Sequence, residues 1–341
     1  MKILIVSDAW LPQRNGVVRV LMNLRDQLNL LGHQVELLTP QDHATLPCPS
    51  YPEIPLTLRP GRAMHRQVAA GRPHAIHIAT EGPLGLAARR WCLRHGFPFT
   101  TAYHTKFPEY IHQRTHLPLD WLYGAIRWFH RPSSAVLAPS PSVYRELSQR
   151  GFVNVHPWAH GVDTTLFHPR EQRLWDLPRP IHLFVGRLAP EKNLPAFLDL
   201  PLPGSKVVVG EGPDRETLRQ RYPDVHFITA RNDQELAGFF ASGDVFVFPS
   251  LTDTFGLVML EALASGVPVA AFPVTGPRDV LGLEGAGETQ VGCLHPDLGE
   301  AVRRALCKSP EACRRHAAGF GWHTVAQQFL AMIRPVGLAT P

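Results

Sequence analysis

The chain has 341 residues, 44% of them hydrophobic, which is enough for two α/β domains of ordinary size, each with its own core. Its net charge of +5 suits contact with a polyanion or with an anionic membrane surface. No helix-turn-helix, zinc-finger or RNA-binding consensus is present, so nucleic acid is not the expected partner.

The sequence also argues against a membrane-spanning or exported protein. No stretch reaches the roughly 18 uninterrupted apolar residues of a membrane span. The apolar start, residues 1–6, is too short for a signal peptide and is soon followed by Asp8. We therefore expect a cytoplasmic protein. Its five cysteines lack a C-x-x-C pair, so reduced thiols are expected rather than disulfides or a zinc site.

The first half of the chain alternates predicted strands and helices, as a doubly wound parallel sheet requires. A strand over residues 2–7 is followed by a helix over 17–31, which ends at Gly32, and by a strand over 33–39. The proline- and arginine-rich stretch 39–73 contains no predicted element. Further strands are predicted at 75–79, 97–103 and 135–139, with helices at 119–129 and within 140–151.

The second half continues the alternation after a polar, proline-containing segment. We predict a first domain over residues 1–170, a linker over 171–180, a second domain over 181–318 and a terminal segment over 319–341. Strands are predicted at 181–185, 206–209, 225–228, 245–248 and 267–272. Helices are predicted at 257–265 and at 321–333.

The most informative stretch contains two carboxylates with seven residues between them. Asp253 lies in a polar loop after the predicted strand 245–248, and Glu261 lies inside the following helix. Ligands of open parallel sheets bind at that end of the strands, and a helix start offers N–H groups to a phosphate. The two acids are thus placed to hold hydroxyls on either side of a diphosphate. An ordinary buried βαβ unit is the alternative explanation.

Two cations follow the predicted strand 181–185. Arg187 and Lys192 lie five apart, where fixed positive charges can neutralise a diphosphate leaving group. A solvated loop, with Arg or Lys paired to Glu191, would give the same pattern. Gly210 and Gly212 form a glycine turn after the next strand, and we expect this turn to shape the wall of the nucleotide site.

These stretches resemble the retaining nucleotide-sugar glycosyltransferases of family 4. Residues 246–271 are similar to the family's acidic-x7-acidic motif, with Asp253 where the family more often has Glu. Residues 186–193 resemble its G-R-L-x-x-x-K-N segment, and residues 210–213 its G-x-G-P turn. The resemblance extends over nearly the whole chain. It implies an α/β GT-B fold: two Rossmann-like doubly wound domains facing across a cleft, with a terminal helix crossing back to the first domain.

The resemblance also implies roles for single residues. Glu261 is expected to bind the ribose hydroxyls, and Asp253 with the loop behind it to hold the transferred sugar. Glu81 and His104 are the candidate acceptor contacts, His104 by its similarity to a family histidine near the sugar. The candidate catalytic residues are His104, Arg187, Lys192 and Asp253. The candidate donor-binding residues are Gly16, Arg187, Lys192, Gly210, Gly212, Asp253, Thr254, Phe255, Gly256, Leu257 and Glu261.

No cofactor and no metal ion is expected beyond the nucleotide-sugar co-substrate. The sequence contains no Asp-x-Asp. The charge of the leaving group would therefore be met by Arg187, Lys192 and the helix start at Gly256.

The predicted function is retaining transfer of a hexose from a UDP- or GDP-linked donor to a membrane glycerolipid. The segments TEGPLGLAARRWCLRHG and YHTKFPEY resemble lipid-directed members, such as sulfoquinovosyl- and hexosyl-diacylglycerol synthases. The chain also resembles GDP-mannose-dependent mannosyltransferases. The first domain also mixes basic and aromatic residues, which suits peripheral docking on the inner, anionic face of a membrane. The residues concerned are Arg59, Arg62, Arg66, Arg72, Arg89, Arg90, Arg94, Trp91, Trp121, Trp128 and Phe129.

Four alternatives stay open. The acceptor is a soluble sugar or glycan in the first of them. The second and third are a nucleotide-sugar epimerase and a phosphorylase on the same fold. The fourth is a sugar-nucleotide sensor without catalysis. An epimerase would turn over with the donor alone, whereas a transferase needs an acceptor.

Overall fold

The computed structural model describes residues 1–13, 15–48, 51–171 and 174–337. It divides into two compact units, Met1–Ala159 with Trp322–Pro341, and His160–Gly321. The second unit thus begins earlier than the predicted boundary after Arg170, because Val162 and Phe167 are buried in its core. Part of the predicted linker also packs there, since the Trp175 ring stacks on Phe239 at 5.3 Å. Linker residues 172 and 173 lie outside the described residues.

Unit 1 is built on a parallel six-stranded sheet. Its strands are β1 (Lys2–Val6), β2 (Gln34–Leu38), β5 (Ala75–Ile78), β6 (Phe99–Ala102), β7 (Ala135–Ala138) and β8 (Val155–Pro157), in the order β2-β1-β5-β6-β7-β8. A separate antiparallel hairpin is formed by β3 (Thr45–Cys48) and β4 (Tyr51–Thr57). The sheet reverses its winding between β1 and β5, so the carboxyl ends of these strands form a switch point.

The helices of unit 1 follow its strands. They are α1 (Gly16–Leu30), α2 (Pro60–Gly71), α3 (Pro83–His95), α4 (Phe107–Thr115), α5 (Leu119–His130), α6 (Pro141–Gln149) and α14 (Trp322–Met332). The Asn15 side chain caps α1 by accepting a hydrogen bond from the N–H of Val18 at 3.0 Å. The hairpin and α2 occupy the stretch that had no predicted element. Pro60 begins α2 rather than breaking it, because proline has no N–H to lose in the first turn.

The terminal helix α14 belongs to unit 1, where it packs against α1. The indole N–H of Trp158 donates to the backbone carbonyl of Val325 at 3.0 Å. Phe329 is fully buried, with its ring 5.0 Å from that of His77 and 5.8 Å from that of Trp158. This helix therefore completes the core of unit 1 from a distant part of the sequence.

Unit 2 has a seven-stranded sheet, parallel except at one edge. Its strands are β9 (Ile181–Val185), β10 (Ser205–Val209), β11 (His226–Ile228), β12 (Val245–Phe248), β13 (Val269–Ala271), β14 (Gly287–Glu288) and β15 (Gly292–Leu294), in the order β11-β10-β9-β12-β13-β15-β14. Among these strands β14 runs antiparallel, and it pairs with β15. The winding reverses between β9 and β12, which makes their carboxyl ends the switch point of this sheet.

The helices of unit 2 cover both faces of the sheet. They are α7 (Pro195–Leu198), α8 (Arg215–Arg221), α9 (Asp233–Ser242), α10 (Leu257–Ala264), α11 (Thr275–Leu281), α12 (Leu298–Ala305) and α13 (Pro310–Ala318). All residues of β9 and β12 are buried, as expected for strands that carry helices on both sides. The predicted α/β class with two doubly wound sheets is confirmed.

Candidate active site

The candidate donor site lies at the switch point of unit 2. Strands β9 and β12 are parallel neighbours, with His182 opposite Val245 and Leu183 opposite Phe246. The loops that follow both strands therefore meet at one edge of the sheet. This adjacency brings residues 186–193 next to residues 249–256.

The contact that joins the two loops is an ion pair. Lys192 Nζ donates to Oδ1 of Asp253 at 2.7 Å and to Oδ2 at 2.8 Å. Both side chains are about one-fifth exposed, at 20% and 19%. Two further bonds hold the loops together: Asn193 Nδ2 donates to the carbonyl of Pro249 at 3.1 Å, and Ser250 Oγ to that of Glu191 at 3.2 Å. Lys192 thus pairs with Asp253 rather than with Glu191.

Arg187 lies half-buried in the same loop and acts on a carboxylate that the sequence did not single out. Burial raises the pKa of Asp214, the residue just before α8, and the charge of Glu191 raises it further. The Arg187 guanidinium opposes both effects. Arg187 therefore lies within electrostatic reach of Asp214, whose carboxyl also senses the charge of Glu191. The only sequence signal for Asp214 is its position just after the glycine turn. An acid at that position is equally typical of the start of a helix.

The glycine turn fits closely against this loop. Gly210 has φ +154°, and a Cβ there would lie 1.9 Å from the carbonyl oxygen of Gly186. A Cβ at Gly212, with φ +156°, would lie 2.2 Å from the carbonyl oxygen of Leu188. The N–H of Leu188 donates to the carbonyl of Glu211 at 2.8 Å. The two loops pack backbone to backbone, which only glycine permits at these two positions.

The loop behind Asp253 is held from several sides. Phe255 is buried, with its ring edge-on to His160 at 5.3 Å. Gly256 adopts φ +85° as the cap of α10, and the predicted sugar loop of Thr254, Phe255, Gly256 and Leu257 leads into that helix. A Cβ at Gly276 would lie 2.9 Å from the carbonyl oxygen of Phe255. Glu261 lies in α10 and is only 3% exposed.

The remaining candidates lie in unit 1. Gly16 is the first residue of α1. Glu81 and His104 follow the adjacent parallel strands β5 and β6. The Glu81 carboxylate lies 3.2 Å from Nε2 of His130, whose Nδ1 is 2.8 Å from the Thr101 hydroxyl. Glu81 is therefore paired with a buried histidine.

His104 is largely enclosed by protein. Its ring lies edge-on to Trp158 at 6.2 Å. Burial lowers the pKa of His104 to about 4, so the imidazole is neutral near pH 7. A neutral imidazole can donate one hydrogen bond and accept another.

Sequence reasoning missed Asp8, which lies at the switch point of unit 1. It is 5% exposed and accepts hydrogen bonds from the N–H groups of Leu84 at 2.8 Å and Gly85 at 3.2 Å. The Thr80 hydroxyl donates to it at 2.9 Å. Burial raises the pKa of Asp8 despite these bonds. The available signal was an acid directly after an apolar strand, and its partners lie more than seventy residues away.

Metal-ligand clusters and spanning helices are both absent from the described part of the chain. No group of three His, Cys, Asp or Glu side chains there could hold a metal ion. No helix within those ranges is long and apolar enough to cross a membrane. Metal-independent catalysis stays a prediction. The four cysteines with described side chains are free thiols: Cys92, Cys293, Cys307 and Cys313.

Comparison with known proteins gives matches over both units. The family model described as Glycosyltransferase Family 4 matches residues 14–166, and that described as Glycosyl transferases group 1 matches residues 179–308. A GDP-mannose-dependent alpha-mannosyltransferase of Mycobacterium tuberculosis is 32% identical, over 97% of this chain and 95% of the relative.

A second relative from Mycobacterium tuberculosis is a GDP-mannose-dependent alpha-(1-6)-phosphatidylinositol dimannoside mannosyltransferase. It is 25% identical, over 100% of this chain and 98% of its own length. Among solved structures, a sucrose-phosphate synthase from Thermosynechococcus elongatus superposes with a TM-score of 0.77 at 20% identity, over 97% of this chain and 98% of the other. The structural likeness supports the GT-B fold expected from the sequence.

Proposed function

Because this chain belongs to glycosyltransferase family 4, we propose that it transfers a hexose from a GDP- or UDP-linked donor to a hydroxyl of a membrane glycerolipid, with retention of configuration. The observation that carries the proposal is the pairing of Lys192 with Asp253, with Arg187 in the same loop, at the switch point of unit 2. Cations at this edge suit a diphosphate, and the carboxylate suits a sugar hydroxyl.

The roles divide along the loops of unit 2. Arg187 and Lys192 take the diphosphate, because guanidinium and ammonium groups make strong charge-assisted bonds to phosphate oxygens. Glu261 takes the ribose hydroxyls from inside α10. Asp253 takes a hydroxyl of the transferred sugar, and the loop that follows it lines the sugar's other side. Gly210 and Gly212 form a wall without side chains.

The proposed reaction uses no carboxylate nucleophile. The acceptor oxygen forms a bond to the anomeric carbon on the face from which the bond to the phosphate oxygen breaks. The departing nucleotide diphosphate takes the acceptor's proton. Arg187 and Lys192 stabilise the negative charge that grows on the leaving oxygen. The product anomer, read by NMR, tests this step, and an inverted configuration would refute it.

GDP-mannose is the donor that the relatives favour, since both reported relatives are named as GDP-mannose-dependent mannosyltransferases. Isothermal titration with GDP, UDP and ADP tests the base, and we expect GDP to bind most tightly. Turnover with GDP-mannose and with UDP-glucose tests the sugar. Product formed from the UDP-linked sugar alone would overturn the GDP assignment and leave the transferase assignment intact.

A glycerolipid acceptor is supported by the relative whose name includes phosphatidylinositol. In this proposal, the neutral His104 and Glu81, both in unit 1, contact the acceptor. The test supplies donor with diacylglycerol or phosphatidylinositol in mixed micelles, and separately with soluble sugars. Glycolipid formation is expected. Transfer to soluble sugars only would contradict the lipid acceptor, and conversion of the donor without any acceptor would identify an epimerase.

We also propose that the enzyme is cytoplasmic and that its catalysis needs no metal ion. Arg187 and Lys192 supply the positive charge that a metal ion would otherwise bring to the leaving group. We expect EDTA to leave turnover essentially unchanged. Complete inhibition, restored by adding back a divalent cation, would contradict metal-free catalysis.

A further inference from the structure

Two helices of unit 1 expose large apolar side chains on their outer faces. On α5, Trp121 is 74% exposed and Trp128 is 57% exposed. On α3, Leu86 and Leu93 are 41% and 48% exposed. Each pair is separated by seven residues, which is two helical turns, so both members share one face of their helix. Tryptophan is enriched at protein and membrane interfaces, and a contiguous exposed apolar patch marks such a site.

The two helices form one continuous surface. Arg89 of α3 donates from Nε to the carbonyl of Phe129 at 3.0 Å and from Nη2 to that of Trp128 at 3.0 Å. Its guanidinium also stacks on the Trp128 ring at 3.8 Å from the centroid. A groove of about 250 Å³ runs between the helices. We call this surface the α3–α5 face; its residues are Leu86, Arg89, Arg90, Leu93, Arg94, Trp121 and Trp128.

The charge around this face is strongly one-sided. The helices α2 and α3 together contain five arginines and no acid, and the acid that precedes α3 is Glu81. That acid is turned inward to His130, and its side chain is 10% exposed. Arg90 and Arg94 are both exposed and lie one turn apart on α3. The exposed acid beside Trp121 is Asp120, so the surplus of positive charge remains large.

We propose that the α3–α5 face docks on an anionic phospholipid bilayer. Trp121 and Trp128 lie at the headgroup level, where an amphipathic ring meets both water and hydrocarbon. Arg90 and Arg94 contact lipid phosphates, and Leu86 and Leu93 lie between them against the acyl boundary. The proposal rests on the lipid acceptor of the proposed function and names the surface through which the enzyme reaches it.

The structure also narrows the set of docking residues expected from the sequence. Phe129 is 3% exposed and belongs to the core of unit 1, so it cannot enter a membrane. Trp91 is half-buried and stacks on His95 at 4.3 Å. Arg62 and Arg66 are exposed on α2, which packs beside α3, and they add to the positive field. The two exposed tryptophans are therefore the anchors to test.

The test is vesicle binding by the full chain at low salt. We compare sedimentation with phosphatidylcholine vesicles and with vesicles that also contain phosphatidylglycerol. Binding to the anionic vesicles is expected, with a blue shift of tryptophan fluorescence. Arg90→Gln with Arg94→Gln should lower partitioning about 25-fold, since each basic contact contributes roughly 5-fold. Trp121→Ser with Trp128→Ser should lower it by at least about 10-fold and remove most of the blue shift.

Two matched controls separate this face from general properties of the protein. Arg314→Gln with Arg315→Gln removes the same charge from exposed positions of α13 in unit 2. Leu30→Ser removes an apolar side chain that is 79% exposed on α1. Both controls should bind vesicles like the unmodified chain. Equal loss in a control and in its test variant would overturn the α3–α5 face.

Two further measurements show whether a different partner occupies the α3–α5 face and whether the lipid acceptor holds independently of docking. Tryptophan-dependent dimers in analytical ultracentrifugation, without vesicle binding, would assign the face to a second copy of the chain and overturn the proposal. Absence of vesicle binding would overturn it as well, even if glycolipid forms in micelles. Vesicle binding without glycolipid formation would support docking and refute only the lipid acceptor.

Discussion

Replacing Asp253 with asparagine should tighten the binding of the free nucleotide diphosphate. Both carboxylate oxygens of Asp253 hold Lys192, at 2.7 and 2.8 Å. A diphosphate that binds Lys192 must compete with this pair. Hydrogen bonds to charged groups contribute about 1.5–3 kcal/mol, and solvent reaches about a fifth of each side chain, so we take the lower end. About 1.4 kcal/mol corresponds to roughly 10-fold tighter binding of GDP.

The same substitution should lower turnover of the full donor. The asparagine side chain keeps the shape of the aspartate but loses the charge that holds the transferred sugar. Loss of one hydrogen bond to a charged group costs about 1.5–3 kcal/mol, which is roughly 10- to 150-fold in rate. Isothermal titration with GDP and initial rates with the nucleotide sugar measure the two effects. A gain in GDP affinity together with a loss of turnover would indicate that Asp253 both restrains Lys192 and binds the transferred sugar.

A double-mutant cycle provides the control. Lys192→Ala alone should weaken GDP binding, because it removes the cation. In the Lys192→Ala background, Asp253→Asn should improve binding less, since only the repulsion between carboxylate and diphosphate is removed and there is no lysine left to release. If Asp253→Asn leaves GDP affinity unchanged or weakens it in the unmodified background, Lys192 is not the diphosphate ligand and the argument fails.

Three further predictions concern stability. Gly210→Ala should lower the free energy of unfolding by well over 1 kcal/mol, because its Cβ would lie 1.9 Å from a backbone carbonyl oxygen. The control is Gly124→Ala, in open space inside α5, which should raise the free energy of unfolding by about 0.5–1 kcal/mol. Phe329→Ala should lower the free energy of unfolding, measured in urea, by about 3–5 kcal/mol, because it leaves a cavity in the core. Gln328→Ala, at an exposed position of the same helix, should change it little. Equal effects of the two substitutions would contradict the packing of α14. Burial lowers the pKa of His77 from 6.5 to about 3, so the unfolded chain binds this proton at a higher pH than the folded chain does. The free energy of unfolding should therefore fall as the pH drops from about 6.5 towards 3. His77→Gln should flatten that dependence, and an unchanged slope would refute the assignment.

The strands were predictable because a buried parallel strand leaves a strong local signal. The predicted strands at 181–185 and 245–248 coincide with β9 and β12. The other predicted strands agree within two residues at each end. The hairpin and α2 were missed because prolines interrupt the alternation on which strand prediction depends. The earlier start of unit 2 was missed because local composition cannot show that Phe167 packs into a distant core.

The candidate site was predictable as a set of residues but not as a set of contacts. Arg187, Lys192, Asp253 and Glu261 stand out by position relative to strands and helices. The pairing of Lys192 with Asp253 spans 61 residues and depends on β9 lying beside β12, which no local pattern specifies. The exposure of Trp121 was equally hidden, because a tryptophan of an amphipathic helix usually faces the core.

The membership of α14 in unit 1 has a consequence for biosynthesis. A ribosome produces residues 1–159 first, then all of unit 2, and only afterwards the helix that brings Phe329 to the first core. At about 5–20 residues per second, the incomplete unit waits roughly 10–30 s for its missing helix. During that interval the indole N–H of Trp158 lacks its carbonyl partner and an apolar surface stays open to chaperones. Unit 2, which is contiguous, is then the first part of the protein able to finish folding.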